Sequence, residues 1–111
     1  MTVPIKQALS KALAEALEKA LGVRIPQEEI EPYFEVPREE KFGDISSNIV
    51  LRVAKEHKKS PRVLAQEVHS YLEPLLKSGD LKGRIAKTAV EGPGFINFYV
   101  STQEIAQSAL E

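Results

Sequence analysis

The sequence predicts an α+β fold: one two-layer domain whose small, mainly antiparallel sheet of three or four strands packs on one face against helices. Three observations predict it. Apolar residues recur at helical spacing in three separate segments. Two alternating segments near the end are joined by Gly92-Pro93-Gly94, a turn signal. The length of 111 residues suits one domain that removes about two thirds of its unfolded surface from water.

The first helix begins near Pro4, which fits a first helical turn, and ends at Gly22, which fits a C-cap. Small and large apolar residues alternate along one stripe: Ile5, Ala8, Leu9, Ala12, Leu13, Ala16, Leu17, Ala20 and Leu21. We expect this stripe to lie flat on the sheet. Pairing with a partner helix is the alternative.

The segment after the first helix shows no regular spacing of apolar residues. Residues 23–31 form a polar connection, in which a short extra strand is compatible with the sequence. Residues 33–36 predict a short strand between Pro32 and Pro37, and prolines at both ends suit an edge strand. Residues 38–43 predict a charged loop.

Two further helices follow. Asp44 is predicted to N-cap a helix that runs to about Lys58, with an apolar stripe of Ile45, Ile49, Val50, Val53 and Ala54. Ser60-Pro61 begins the third helix as N-cap and first-turn proline. We expect Pro74 to kink or break that helix near Glu73.

A hairpin is predicted around the turn at residues 92–94. In residues 86–91, Thr88 and Val90 are expected to face inward, while Lys87 and Ala89 face outward. In residues 95–100, a period of two places Ile96, Phe98 and Val100 on a core face. Phe95, Asn97 and Tyr99 lie on the other face.

The second face of this strand combines two aromatic rings with a carboxamide. Such a surface can stack on a flat base and hydrogen-bond its edge. The structural alternative is that both faces are buried, with Asn97 capping a turn. We expect Phe95 and Asn97 to be turned toward solvent.

Ser101 and Glu104 form a capping box that opens a last helix, with Ile105, Ala109 and Leu110 on one side. No glycine or proline ends that helix before Glu111. We therefore expect the chain to be part of a longer protein, with a short stand-alone protein as the alternative.

Composition excludes several classes of protein. With no cysteine, the chain has no disulfide framework, thiolate nucleophile or cysteine-based zinc site. The opening run is amphipathic and lacks the apolar stretch of a signal peptide or membrane span. We expect a cytoplasmic protein. The net charge of -1 argues against nucleic-acid binding driven mainly by counterion release.

Basic residues cluster after the middle of the chain, at Arg52, Lys55, Lys58, Lys59 and Arg62. These cations can complement the dipole at a helix C-terminus. Alternatively, they make a few phosphate contacts with RNA.

No catalytic residues and no metal site are predicted within the chain. Neither His57 nor His69 has neighbours at metal-ligand spacing, and no phosphate-binding glycine pattern follows a strand. Capping explains Asp44, Ser46 and Ser47 without a hydrolase site. Whether the whole protein is an enzyme is left open by these residues.

Two blocks of the sequence resemble a known family. Residues 42–55, FGDISSNIVLRVAK, and residues 90–101, VEGPGFINFYVS, are together similar to the N-terminal additional domain of arginyl-tRNA synthetases. In that family, a Phe-Gly-Asp or His-Gly-Asp step precedes a helix, and a Gly-Pro-Gly-Phe-Ile-Asn hairpin follows some forty to fifty residues later. The resemblance covers essentially the whole chain.

The resemblance implies a tRNA-binding module that contacts the D-loop, at the outer corner of tRNA-Arg. Phe95 matches the aromatic residue that stacks on an unpaired base, and Asn97 matches the amide that hydrogen-bonds the edge of that base. Some members carry an amide residue at the position of Gly92, so a third contact there is in doubt. Tyr99 and Lys87 complete the predicted tRNA-binding set.

The resemblance also implies the surroundings of the domain. The chain would be a fragment of an ATP-dependent arginine-tRNA ligase, ending before the catalytic domain. Its partners would be tRNA-Arg and the catalytic and anticodon-binding domains of the same synthetase, with no membrane and no DNA. ATP and Mg²⁺ would bind in the full-length enzyme, and no cofactor in this chain. The rival hypothesis is a protein interaction module that uses the Ala/Leu face of the first helix or an open sheet edge.

Overall fold

The computed structural model describes residues 3–38 and 43–101. Within these residues there are four helices, four strands and two short 3-10 turns, Glu31–Tyr33 and Gly79–Leu81. In chain order the elements are α1 (Ile5–Leu21), α2 (Gln27–Ile30), β1 (Phe34–Glu35), β2 (Ile45–Ser47), α3 (Ile49–Glu56), α4 (Pro61–Leu76), β3 (Ile85–Glu91) and β4 (Phe95–Val100).

The four strands form one sheet in the order β1-β2-β4-β3, and every neighbouring pair is antiparallel. The predicted α+β class with a small antiparallel sheet is therefore confirmed. β3 and β4 form the expected hairpin, and β2 pairs with the other side of β4. β4 is thus a central strand, which matters for how much of its side chains water can reach.

The register separates the two faces of the sheet. Ile96 and Phe98 are fully buried. Thr88 is paired with Phe98, and its Oγ1 atom lies 2.6 Å from the Nε2 atom of His69 on α4. This face is covered by helices. We call the opposite face of the sheet the outer face. By alternation along the strands, it carries Glu35, Ser46, Lys87, Ala89, Glu91, Phe95, Asn97 and Tyr99.

The Ala/Leu stripe of α1 is buried, as at Leu9, Leu13 and Leu17, but it packs chiefly against α4. The prediction that it lies flat on the sheet is wrong. α3 and α4 contact the sheet instead, and α4 presents apolar residues at Leu64, Ala65, Val68, Leu72 and Leu76. The partner helix of α1 is α4 of the same chain.

The predicted helix cap at Asp44 is also wrong, because Ile45–Ser47 forms strand β2 and α3 begins only at Ile49. Asp44 instead joins the sheet: its N–H donates to the Phe98 carbonyl at 2.9 Å. Pairing with β4 prevailed over the local capping preference. At the helix start, the Ile49 N–H donates to the Ser47 Oγ at 3.3 Å.

Several helix boundaries follow the predictions. Gly22 ends α1 with a φ of 72°, and the Ser60 Oγ accepts from the Val63 N–H at 3.5 Å as the N-cap of α4. Pro74, however, does not break α4 near Glu73, since the helix continues to Leu76. Pro74 has no N–H to donate to the preceding turn, but α4 continues for only two residues beyond it.

Two weaker predictions differ in detail. The connection at residues 23–31 contains the helical turn α2 and no extra strand, and the predicted edge strand at residues 33–36 shortens to β1. The capping box at Ser101 and Glu104, its helix, and Phe42 lie partly or wholly outside the described residues. Within residues 3–38 and 43–101, no helix has both the length and the apolarity to cross a membrane.

Candidate nucleic-acid interface

The turn at residues 92–94 sets the start of β4. Gly92 has a φ of 55°, a region that favours glycine, and the Gly94 N–H donates to the Glu91 carbonyl at 3.3 Å. A Cβ atom on Gly94 would lie 3.2 Å from the Pro61 carbonyl oxygen. The turn therefore lies close against the start of α4, which holds the first residue of β4 in place.

A cleft of about 300 Å³ opens on the outer face beside this turn. We call it the Phe95 cleft, and its lining residues are Glu35, Pro37, Ser46, Glu91, Gly92, Pro93, Phe95 and Asn97. The lining combines one aromatic ring with a few polar groups. This combination is typical of sites that bind a flat, mostly apolar ligand and orient it by hydrogen bonds.

Phe95 forms the aromatic part of the Phe95 cleft. Its side chain is half-buried, and its Cδ2 atom would lie 3.6 Å from a Cβ atom on Gly92. The ring thus lies close to the backbone of the turn, which restricts its movement. A ring held in this way is a suitable platform for stacking.

Asn97 lies deeper than predicted. Asn97 is only 2% exposed, so the expectation that its amide is turned toward solvent is wrong. Since β4 is central, neighbouring strands flank Asn97 on both sides, with Ser46 and Ala89 as its paired residues. The amide nevertheless lies on the outer face and lines the Phe95 cleft, away from the helices.

Hydrogen bonding holds only one end of the Asn97 amide. The Ser46 hydroxyl donates to the Asn97 Oδ1 at 2.8 Å. The Asn97 Nδ2 is buried and has no hydrogen-bond partner among residues 3–38 and 43–101. Buried amide groups rarely lack a partner, so this nitrogen is the most unusual polar atom of the cleft.

Tyr99 and Lys87 lie further along the outer face and are not among the residues that line the cleft. They are paired across β3 and β4, and the Lys87 Nζ lies 4.5 Å from the centre of the Tyr99 ring. The structure thus brings Phe95, Asn97 and Gly92 together. Tyr99 and Lys87 form a cation–π pair next to them.

The charges around the Phe95 cleft are mainly negative. Glu35 and Glu91 line it and are exposed, whereas Lys87 lies one residue pair beyond Asn97 on the outer face. A phosphate inside the cleft would be repelled by the two carboxylates. A neutral group is the better occupant, with a phosphate nearer to Lys87.

Two residues of the basic block, Arg52 and Lys55, lie on α3. The Arg52 Nε lies 3.4 Å from the Glu56 carboxylate, and the Arg52 guanidinium lies 5.0 Å from the centre of the Tyr33 ring. Lys55 lies in the last turn of α3, where a cation complements the helix dipole. These contacts agree with the structural interpretation for these two residues.

Sequence reasoning missed Ser46 as a site residue, because residues 44–58 were predicted as one helix. The signal lay in Gly43, whose φ is 97° and whose added Cβ atom would lie 2.9 Å from the Phe98 carbonyl oxygen. Only glycine lets the chain pass this close to β4. A strand beginning after Gly43 would have placed Ser46 and Ile45 on opposite faces.

The described residues offer no set of ligands for the Mg²⁺ that the resemblance implies elsewhere in a full-length enzyme. No group of three or more histidine, aspartate or glutamate side chains in residues 3–38 and 43–101 could hold a metal ion.

Two curated proteins are similar to this chain over most of its length. The chain is 36% identical over 96 residues to the arginine–tRNA ligase of Thermotoga maritima, covering 86% of this chain and 15% of that protein. It is 39% identical over 103 residues to the arginine–tRNA ligase of Prosthecochloris aestuarii, covering 90% of this chain and 17% of that protein. The chain thus spans about a sixth of these curated relatives.

A solved structure of Thermus thermophilus arginyl-tRNA synthetase shows the same fold. The TM-score is 0.68 with 25% sequence identity, covering 97% of this chain and 16% of that chain. The family model described as the arginyl tRNA synthetase N terminal domain matches residues 5–100. The chain therefore belongs to the family of arginyl-tRNA synthetase N-terminal domains.

Proposed function

We propose that the chain is a tRNA-binding module that recognises an unpaired base in the D-loop of tRNA-Arg, as part of an arginine–tRNA ligase. The observation that carries this proposal is the Phe95 cleft. It combines a half-buried ring and an amide with an unpaired nitrogen, two residues apart on β4. The family of the chain supports tRNA as the partner.

The mechanism is stacking followed by edge recognition. An unpaired base has two exposed faces, and one of them lies on the Phe95 ring while an edge of the base reaches Asn97. A base inside a duplex has both faces stacked and its Watson–Crick edge paired. Loop nucleotides are therefore the RNA class that the cleft can take.

The expected binding free energies suit a site that discriminates between bases and does not bind the RNA tightly. Stacking one base contributes about 1 to 3 kcal/mol, and one hydrogen bond contributes on the order of 1 kcal/mol net. With a few phosphate contacts, the isolated domain would bind with a dissociation constant of roughly micromolar to millimolar. In a longer synthetase, such a contact acts as a second tether that orients the tRNA.

The remaining partners belong to the longer protein. We expect the catalytic and anticodon-binding domains to lie outside this chain, with ATP and Mg²⁺ bound there, and the whole protein to work in the cytoplasm. Within this arrangement the role of the present residues is limited to positioning tRNA-Arg.

The rival hypothesis of a protein interaction module loses its main surface. The Ala/Leu face of α1 is buried, with Leu9, Leu13 and Leu17 fully inaccessible. Two sheet edges remain among the described residues. β3 is seven residues long, whereas β1 is only two residues long and ends two residues before Pro37. A short strand next to a proline is a poor template for strand addition.

The test is an affinity measurement with tRNA-Arg transcripts in which each unpaired D-loop nucleotide is made abasic in turn. For the wild-type chain, we expect one abasic position to weaken binding about tenfold, the loss of one stacked base. The Phe95→Ala variant should bind the intact transcript more weakly. Its affinity should no longer change when that nucleotide is made abasic. Tyr71→Ala, which removes an exposed ring on α4, is the matched control. Equal binding by the wild type and Phe95→Ala would refute the proposal.

A further inference from the structure

We infer that Ser46 is a positioning residue that turns the Asn97 amide so that it offers N–H groups, and that the recognised base must present a hydrogen-bond acceptor. This inference rests on the proposed function, because it names the chemistry of the base that the Phe95 cleft takes. It concerns which bases bind, and not whether a base binds.

The geometry starts with the register of β2 and β4. Ser46 lies directly opposite Asn97, and both residues are almost fully buried. An amide has two chemically different ends, since Oδ1 only accepts and Nδ2 only donates. The Ser46 hydroxyl donates to Oδ1 at 2.8 Å. The oxygen is therefore directed toward β2, and the nitrogen is the end left for other groups.

The nitrogen has no hydrogen-bond partner in the part of the chain that the structure describes. Because it is screened from water, its N–H groups are not satisfied by solvent either. A ligand that accepts from Nδ2 supplies a hydrogen bond that the unbound protein lacks. An acceptor is therefore favoured more strongly here than at an exposed amide, where water competes.

Access to the nitrogen requires a small movement at the rim of the Phe95 cleft. Glu35, Glu91 and Pro93 line the cleft and are exposed. Exposed side chains change rotamer within nanoseconds, so the two glutamates can move aside when a base enters.

These features define the ligand chemistry. The occupant is a neutral, flat heteroaromatic ring, because Phe95 offers a ring face and the two rim carboxylates repel phosphate. Its entering edge carries a ring nitrogen or a carbonyl oxygen. An edge that presents only N–H groups is rejected, since it would place donor against donor.

The experiment uses the whole chain and an RNA stem closed by a loop with one adenine among abasic spacers. Adenine is chosen because each of its three unsubstituted ring acceptors, N1, N3 and N7, can be replaced by CH. Dissociation constants are measured for adenine and for its 1-deaza, 3-deaza and 7-deaza analogues. The proteins are the wild type, Ser46→Ala, Ser46→Thr and Phe95→Ala.

For the wild type, we expect one deaza analogue to bind about five- to tenfold more weakly than adenine. In Ser46→Ala, that ratio should fall to within about twofold, because the amide can then turn either end to the base. Ser46→Thr keeps a hydroxyl and should keep the ratio. A purely structural role of Ser46 would change all four affinities equally and leave the ratio unchanged.

The outcomes separate the two levels of the account. If the wild type binds every deaza analogue as tightly as adenine, or if Ser46→Ala still binds one analogue about five- to tenfold more weakly, the positioning role is refuted while stacking stands. If Phe95→Ala binds the adenine loop as well as the wild type does, the proposed function fails and this inference fails with it. If the wild type does not bind the adenine loop, this inference fails, and the abasic tRNA-Arg transcripts decide the proposed function separately.

Discussion

Asp44 accepts a hydrogen bond from the backbone N–H of Val100 at 3.0 Å, across 56 residues of sequence. Asp44 also donates its own N–H to the Phe98 carbonyl. These two bonds join the start of β2 to the end of β4. The two sequence blocks that resemble the family thus form one structural unit, and the unit positions Ser46 beside Asn97.

The Asp44 contact predicts a stability effect. In Asp44→Ala the Val100 N–H loses its acceptor, so we expect the free energy of unfolding to fall by about 1 kcal/mol, since the bond is exposed. Asp44→Asn keeps an acceptor oxygen and should lose less. Urea unfolding gives the free energies, and amide hydrogen exchange reports on Val100 directly. Identical unfolding midpoints for Asp44→Ala and the wild type would rule out this role.

Gly43 predicts a larger effect. Gly43→Ala places a Cβ atom 2.9 Å from the Phe98 carbonyl oxygen at a φ of 97°, so strain and a clash with backbone add together. We expect a loss of at least about 2 kcal/mol in thermal or urea unfolding. Gly22→Ala is the matched control, because its φ is 72° and nothing lies within 4 Å of the added atom. Equal losses in both variants would show that the close approach to β4 has no energetic role.

The Ser46–Asn97 pair is predicted to serve binding more than stability. Replacing both residues, in Ser46→Ala with Asn97→Leu, removes the hydrogen bond and the unpaired nitrogen together. We therefore expect the double variant to unfold within about 1 kcal/mol of the wild type, and to lose edge recognition of the base. Asn97→Leu alone leaves the Ser46 hydroxyl unpaired and should be the less stable of the two. A loss above about 2 kcal/mol in the double variant would indicate a structural role.

Lys87 and Phe95 are predicted to act on different parts of the RNA. Lys87→Gln should weaken RNA binding and lower the slope of log Kd against log salt concentration by about 0.7, the value for one phosphate on a single strand. Phe95→Ala should weaken binding with the slope unchanged, because stacking releases no counterion. Fluorescence titrations between 50 and 200 mM salt, about a fourfold range, measure both slopes. An unchanged slope in Lys87→Gln would exclude a phosphate contact at Lys87.

The sequence predicted most of what depends on local pattern. The hairpin at residues 86–100, the Gly22 C-cap and the Ser60 N-cap follow from periodicity and from residues with strong local preferences. Phe95 and Asn97 were placed on one face of β4 by the same periodicity. All of these features depend on residues that lie close together in the sequence.

What the sequence could not predict depends on distant contacts. Residues 45–47 form a strand because β4 offers them hydrogen bonds, although Asp44 favours a helix cap locally. The burial of Asn97 follows from β4 being central, which only the strand order reveals. The packing of α1 on α4 likewise depends on how the layers assemble, and an apolar stripe does not specify its partner.

The most direct test of the account is a chemical-shift titration of the isotopically labelled chain with unlabelled tRNA-Arg. We expect the largest changes at the side-chain NH₂ group of Asn97 and at the backbone amides of Gly92 and of residues 94–97, because a stacked base shifts nearby resonances. Changes confined to the basic block of α3 and α4, or no changes at RNA concentrations up to the millimolar range, would contradict the claim that the Phe95 cleft binds an unpaired base.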